Sequence, residues 1–246
     1  MIRHIEFDRL HNFRDLGGYR ADAGRTVRWG TLYRSDSLGK LRPGSADWDR
    51  FRALGVGTVV DLRHPFEIEA RGRVPAVDGL AYHNLSIEHR PYDQSAISPD
   101  VDPWRYLADR FAEVLDDGVK ELRTVLEVIA AEDDRPLVFH CASGKDRTGI
   151  VAALVLSLLG VAEEEVLADF ALTELATERL LADWRANHPE QESIWPSFGR
   201  APAEVMRLTL GDLTERYGSV RQYVAERLGP EPELTGALRR RLLTSD

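Results

Sequence analysis

Apolar residues recur along this chain with two distinct periods. Trp48, Phe51 and Leu54 are spaced as on a helix, Ser45 stands where an N-cap belongs and Gly55 follows the last turn, so a short helix is predicted over Ser45 to Leu54. The next residues, Val56-Gly57-Thr58-Val59-Val60, form a compact β-branched run ending at Asp61-Leu62-Arg63. Such a run suits a strand covered on both faces, with Asp61 near its carboxyl end. Further strands are predicted over Ala81 to Ile87 and over Pro136 to His140. Between them, ten apolar positions from Tyr106 to Ile129 keep a helical period that Gly118 interrupts, which predicts two helices from Trp104 to Ala131. Thr148 to Leu159 is apolar on every side and must lie deep in the core. From Glu163 onward the pattern is helical and amphipathic, except at His188 to Pro202, where Trp195-Pro196-Ser197-Phe198-Gly199 is expected to be irregular and to expose its aromatics.

The amino-terminal region has a different texture. His11 to Tyr19 reads as an extended segment closed by the Gly17-Gly18 turn, followed by short strands at Val27 to Trp29 and Thr31 to Tyr33, which predicts a small antiparallel sheet at an edge. His89 to Pro103 is rich in Pro, Asp and Ser without a period and is expected to be a long functional loop. Strands alternating with helices predict an α/β fold, a central and mainly parallel sheet flanked by helices, and 246 residues suit one domain over 1–246.

Composition narrows the chemistry. A net charge of −9 opposes non-specific attraction to nucleic acid or anionic lipid, so no nucleic-acid partner and no stable membrane association are expected, and any anion site must be a local feature. No apolar run approaches the ~20 residues of a membrane span. Met1 to Leu10 carries Arg3, Glu6, Asp8 and Arg9 with no apolar core, so no secretory signal is visible and the expected location is the cytoplasm. Cys141 is the only cysteine, which rules out an intramolecular disulfide and a zinc site of several thiolates. The seven histidines show no metal-binding spacing, and no cofactor is expected.

That cysteine opens the segment Cys141-Ala142-Ser143-Gly144-Lys145-Asp146-Arg147-Thr148, which joins the strand at Pro136 to His140 to the apolar helix. A strand feeding a helix through a short loop turns successive N–H groups into one concavity, and the helix N-terminus adds a positive dipole end. Such a nest holds a dianionic phosphate and favours the thiolate form of Cys141, the attacking species. Arg147 can present two parallel N–H donors to phosphoryl oxygens, a geometry lysine cannot supply. Thr148 places a hydroxyl where it could hydrogen-bond the sulfur, Gly144 permits the tight turn and Gly149 allows close helix packing. A lone cysteine is more often a buried packing residue. Packing, however, gives no reason for Gly144, Lys145, Asp146, Arg147 and Thr148 to follow it.

His140, Cys141, Arg147 and Thr148 resemble the signature of the protein tyrosine phosphatase superfamily, and Gly144 to Gly149 narrows the likeness to bacterial tyrosine/serine protein phosphatases, the family of mycobacterial protein tyrosine phosphatase B. Asn12 to Asp15, Arg34-Ser35 and Asp61 to Arg63 match further segments of that family. The resemblance implies a phosphatase-like fold and two-step hydrolysis through a phosphocysteine. It also implies phosphate binding by Ala142, Ser143, Gly144, Lys145, Asp146 and Arg147, and a lid that would here be Leu175 to Pro202. The implied partner is a phosphorylated protein, or a phosphoinositide given Lys145.

A leaving alkoxide needs a proton, so a carboxylate near the loop is expected to act as general acid. Asp61 is the first candidate, with a partner orienting Arg147 as the alternative, and Asp146 is the second. Asp93, Asp100 and Asp102 in the long loop follow. His140 is expected to hydrogen-bond backbone and steady the loop. Asn12, Arg14 and Asp15 could reach the site or serve local structure, while Arg34 and Arg63 favour structural pairing, Arg63 with Glu67. The rival from another class is a catalytically silent phosphate-binding module.

Overall fold

The computed structural model describes residues 2–131, 134–193 and 195–244. Five strands, β1 (Arg14–Asp15), β2 (Leu32–Ser35), β3 (Thr58–Asp61), β4 (Ala81–Asn84) and β5 (Leu137–His140), form one sheet in the order β1-β2-β5-β3-β4. β1 runs antiparallel to β2, and the other pairings are parallel. The expected antiparallel edge is therefore made by Arg14–Asp15 against Leu32–Ser35, while residues 27–29 form no strand of the sheet. Val27 instead makes an isolated bridge to Leu243 near the carboxyl end of the chain.

The helices are α1 (Ala46–Ala53), α2 (Pro65–Arg71), α3 (Pro103–Asp117), α4 (Val119–Ala130), α5 (Asp146–Leu158), α6 (Glu163–Ala171), α7 (Thr177–Asn187), α8 (Ala203–Tyr217), the short α9 (Val220–Tyr223) and α10 (Glu231–Leu242). Ser45 caps α1 through its hydroxyl, and Gly118 separates α3 from α4. Alternate strand residues face opposite layers. Leu32, Val60, Leu137 and Phe139 enter a large core with α3, α4, α5, α6 and α8, whereas Tyr33, Val59 and Val138 enter a smaller one with Phe13, Trp48 and Phe51. α5 has only Ser157 and its first two residues outside the buried set, as a helix apolar on every side requires.

β5 is the middle strand, and its neighbours connect on opposite sides of the sheet. The register pairs Ser35 and Asp61 with His140, so the carboxyl ends of β2 and β3 flank the residue before Cys141. In open α/β sheets this edge is where ligands bind. Trp195 departs from expectation: it is 2% exposed and packs edge-on against Tyr106, because the irregular segment folds back over the sheet edge.

Candidate active site

Cys141 directly follows β5 and is 2% exposed. The loop after it turns at Gly144, whose φ of +67° is open to glycine and strained for other residues, and a Cβ there would stand 2.5 Å from the Ser35 carbonyl oxygen. Gly149 in the first turns of α5 lies so close to the Phe170 ring that a Cβ would come within 2.8 Å of it.

Buried polar side chains hold the loop from beneath. Asn12 donates to the carbonyls of Ser143 and Gly144 at 2.9 and 3.1 Å, and Arg34 donates to the same Gly144 carbonyl at 2.8 Å. Arg14 and Arg34 both pair with Asp169 of α6, at 3.2 and 2.6 Å. Burial alone would raise the Asp169 carboxyl, but the two guanidinium groups outweigh it and bring it down to about 2. Burial acts on Arg34 in the opposite sense and lowers it to about 10. Asp15 accepts from the Gly17 and Gly30 amides and so shapes its own turn, away from the loop. His140 is fully buried, burial pushes its imidazole below the ordinary value, and its Nδ1–H donates to the Cys141 carbonyl at 3.0 Å.

A cavity of about 280 Å³ opens above the loop. Ala142, Ser143, Lys145, Asp146 and Arg147 line its floor, Glu88, Tyr92, Asp93 and Gln94 one wall, and Leu180, Leu181, Trp184 and Phe198 the other. Arg147 enters it gripped by Glu67 of α2, with Nη1 and Nη2 donating at 2.5 and 3.0 Å. Burial disfavours the Arg147 charge, but Glu67, the Cys141 sulfur and Glu88 more than compensate and raise its affinity for the proton. Lys145 is 3% exposed and donates to Gln94 Oε1 and to the Arg200 carbonyl, both at 3.2 Å. Thr148 is fully buried, and among the described residues its hydroxyl has no hydrogen-bond partner, the Cys141 sulfur included.

Residues 5–244 match a family described as the tyrosine phosphatase family. The chain belongs to that family. A Cupriavidus necator protein provisionally named a tyrosine-protein phosphatase is 36% identical over 178 residues, 68% of this chain and 62% of that one. The triple specificity protein phosphatase PtpB of Mycobacterium tuberculosis is 29% identical over 199 residues, 70% of this chain and 69% of that one. A tyrosine-protein phosphatase of Nostoc commune is 30% identical over 204 residues, 78% and 67% of the two chains. The chain thus spans 62% of the first relative's length and little more than two thirds of the others'.

Against this family frame the carboxylates sort by position. Asp61 does not line the cavity: it is fully buried and accepts from Arg63 Nε and Nη2 at 2.9 and 2.6 Å and from the Tyr82 hydroxyl at 3.0 Å. Burial works the other way, but His140 and Arg63 hold its carboxyl below the usual range. The expected Arg63–Glu67 pair is therefore replaced by Arg63–Asp61 and Arg147–Glu67. The reason is local: β3 register sets Asp61 two residues before Arg63, and α2 turns Glu67 toward the loop. Asp146 and Asp93 line the cavity; Asp102 caps α3 through the Trp104 and Arg105 amides, and Asp100 is exposed. Two carboxylates at the site had no pattern to announce their place there: Glu67, expected only as a partner of Arg63, which holds Arg147 from α2, and Glu88 just past β4, which lines the cavity. The only signal was the loop expected to begin at His89.

Proposed function

We propose that this chain is a cysteine-dependent phosphatase that hydrolyses phosphotyrosine, and with it phosphoserine and phosphothreonine, monoesters in proteins. The observation that carries the reading is the placement of Cys141 and Arg147 at the two ends of one loop beneath a cavity, with the arginine already oriented by Glu67.

The chemistry follows from these groups. The Cys141 thiolate attacks phosphorus as the bond to the leaving oxygen breaks, and the loop amides and Arg147 hold the equatorial oxygens as charge gathers on them. Glu67 occupies two of the five guanidinium donors, which leaves the others for substrate. Water then attacks the phosphocysteine and releases phosphate and thiolate. His140 and the Asn12–Arg14–Arg34–Asp169 network keep the loop in one shape, which is what preorganised anion binding needs.

The apolar wall of Leu180, Leu181, Trp184 and Phe198 suits an aryl ring. The lining sets Lys145 and Arg147 against Asp93 and Asp146 and so carries no surplus of positive charge, a balance that favours a single phosphate over the polyanionic headgroup of a phosphoinositide. The test is steady-state hydrolysis of phosphotyrosine peptide, phosphoserine peptide and phosphoinositides by the parent and by Cys141→Ser, without added metal. Cysteine-dependent release of phosphate, fastest from phosphotyrosine, is expected. Parent-rate hydrolysis by Cys141→Ser refutes the mechanism, and phosphate binding without turnover favours the silent binding module.

A further inference from the structure

One carboxylate on the cavity wall lies within reach of Arg147. Glu88 follows β4, is 11% exposed and lines the wall above the loop. Its oxygens lie 3.5 Å from Arg147 Nη1 and 3.3 Å from His64 Nε2. Two of the other acidic side chains around the site are already engaged. Glu67 holds Arg147 with both oxygens, and Asp93 accepts from the Ser95 amide and hydroxyl. Asp146 sits in the loop itself, where its Oδ1 lies 3.4 Å from the Lys145 ammonium without accepting a hydrogen bond and its Oδ2 accepts from Gln94 at 3.5 Å. Among the described residues no hydrogen bond fixes the Glu88 side chain, and it stands on the cavity wall, outside the loop that holds the phosphoryl oxygens and open to a leaving oxygen.

We infer that Glu88 is the general acid of the first step and the general base of the second, an assignment that rests on the phosphatase reading above. As the Cys141 sulfur bonds to phosphorus and the phosphorus–oxygen bond breaks, the departing oxygen keeps the bonding pair and takes the Glu88 proton. In the second step the Glu88 carboxylate removes a proton from water as its oxygen bonds to phosphorus and the sulfur–phosphorus bond breaks. Acid, thiolate and phosphate are restored, and no further reactant is needed.

The surroundings give Glu88 the proton it must carry. Burial raises its carboxyl to about 7; Arg147 and Arg110 oppose the rise, while Asp146 and Glu67 add to it. His64 and Tyr92 face the same group, and burial keeps the first largely neutral and the second protonated. An incoming phosphate dianion adds negative charge beside Glu88 and tightens its hold on the proton.

The test uses two substrates that differ in their need for a proton. With a phosphotyrosine peptide, Glu88→Gln is expected to lower kcat on the order of 100-fold, and with p-nitrophenyl phosphate, whose oxygen leaves readily, far less. Glu88→Asp should restore part of the peptide rate. In the parent, the ratio of peptide to p-nitrophenyl rates should fall as pH rises through about 7, and this limb should vanish in Glu88→Gln. Equal losses on both substrates, or selective loss in Asp146→Asn and not in Glu88→Gln, overturn the assignment while leaving the phosphatase intact. Should Glu88→Gln not fold, a flat rate ratio in the parent overturns it equally. Absence of Cys141-dependent turnover on either substrate overturns the phosphatase reading itself.

Discussion

Arg147 reaches the cavity already held by a carboxylate, and Asp61, the residue best placed by sequence to serve as acid, is spent on a different arginine. The difference is one of burial. Asp61 has no exposed surface, and its pairing with Arg63 is closed further by the Tyr82 hydroxyl, so no substrate oxygen can approach it. Removing one partner of a buried ion pair leaves the other charge uncompensated, at a cost of about 3–5 kcal/mol. Asp61→Asn is therefore expected to lower the urea midpoint strongly, while the folded fraction keeps the parent's ratio of peptide to p-nitrophenyl rates. A selective loss on the peptide would return Asp61 to the acid role. Cys141 and Arg147 were legible in the sequence because strand, loop and helix are contiguous and the chemistry is written in eight residues. Glu88 and Glu67 were not, because they come to the loop from β4 and α2 and only the sheet register unites them.

The loop is as much a product of its supports as of its own residues. Asn12, Arg14 and Arg34 come from the antiparallel edge and Asp169 from α6, and together they fix the Ser143 and Gly144 carbonyls that the turn leaves unpaired. Asn12 to Asp15 and Arg34 stood out as segments, but their convergence on α6 did not, since Asp169 sits in an ordinary amphipathic pattern. Strands and helices were read well where period and caps agreed, as at Ser45 and Gly118. They were misread at residues 27–29, where Val27 makes only an isolated bridge to Leu243, whereas Leu32 and Tyr33 fall in β2. The network also has a defined response to acid. Asp169 has a folded value of about 2 against 3.8 for the free side chain, so its contribution to stability is full above the higher value and is lost as pH falls toward the lower. Asp169→Asn removes that contribution. Its unfolding free energy should lie well below the parent's at pH 6, and the gap should narrow as pH falls from 4 to 2. A gap that stays constant over that range would show that Asp169 acts by packing and not by charge.

Over the cavity, α7 and the irregular segment after it bridge parts of the molecule that are far apart in sequence. Asp183 of α7 is bonded to Lys40 at 2.6 Å and to His11 at 3.1 Å, and Lys40 continues to Asp36, whose carboxylate accepts from the His11 and Asn12 amides. Arg179 adds a bond to the Asp8 carbonyl at 3.0 Å. The same helix carries Leu180, Leu181 and Trp184 into the wall of the cavity above the loop that Cys141 opens. Asp183 is 42% exposed, and an ion pair of that exposure contributes at most about 1 kcal/mol, or roughly a fivefold change in a local opening equilibrium. If α7 moves as a lid, Asp183→Ala should raise the rate at which iodoacetamide alkylates Cys141 by up to about that factor, with little change in the global unfolding midpoint. Added phosphate, by occupying the loop, should slow alkylation in parent and variant alike. An unchanged alkylation rate in Asp183→Ala would mean that reagent reaches the sulfur without α7 moving, and that the covering of Cys141 is set by the loop.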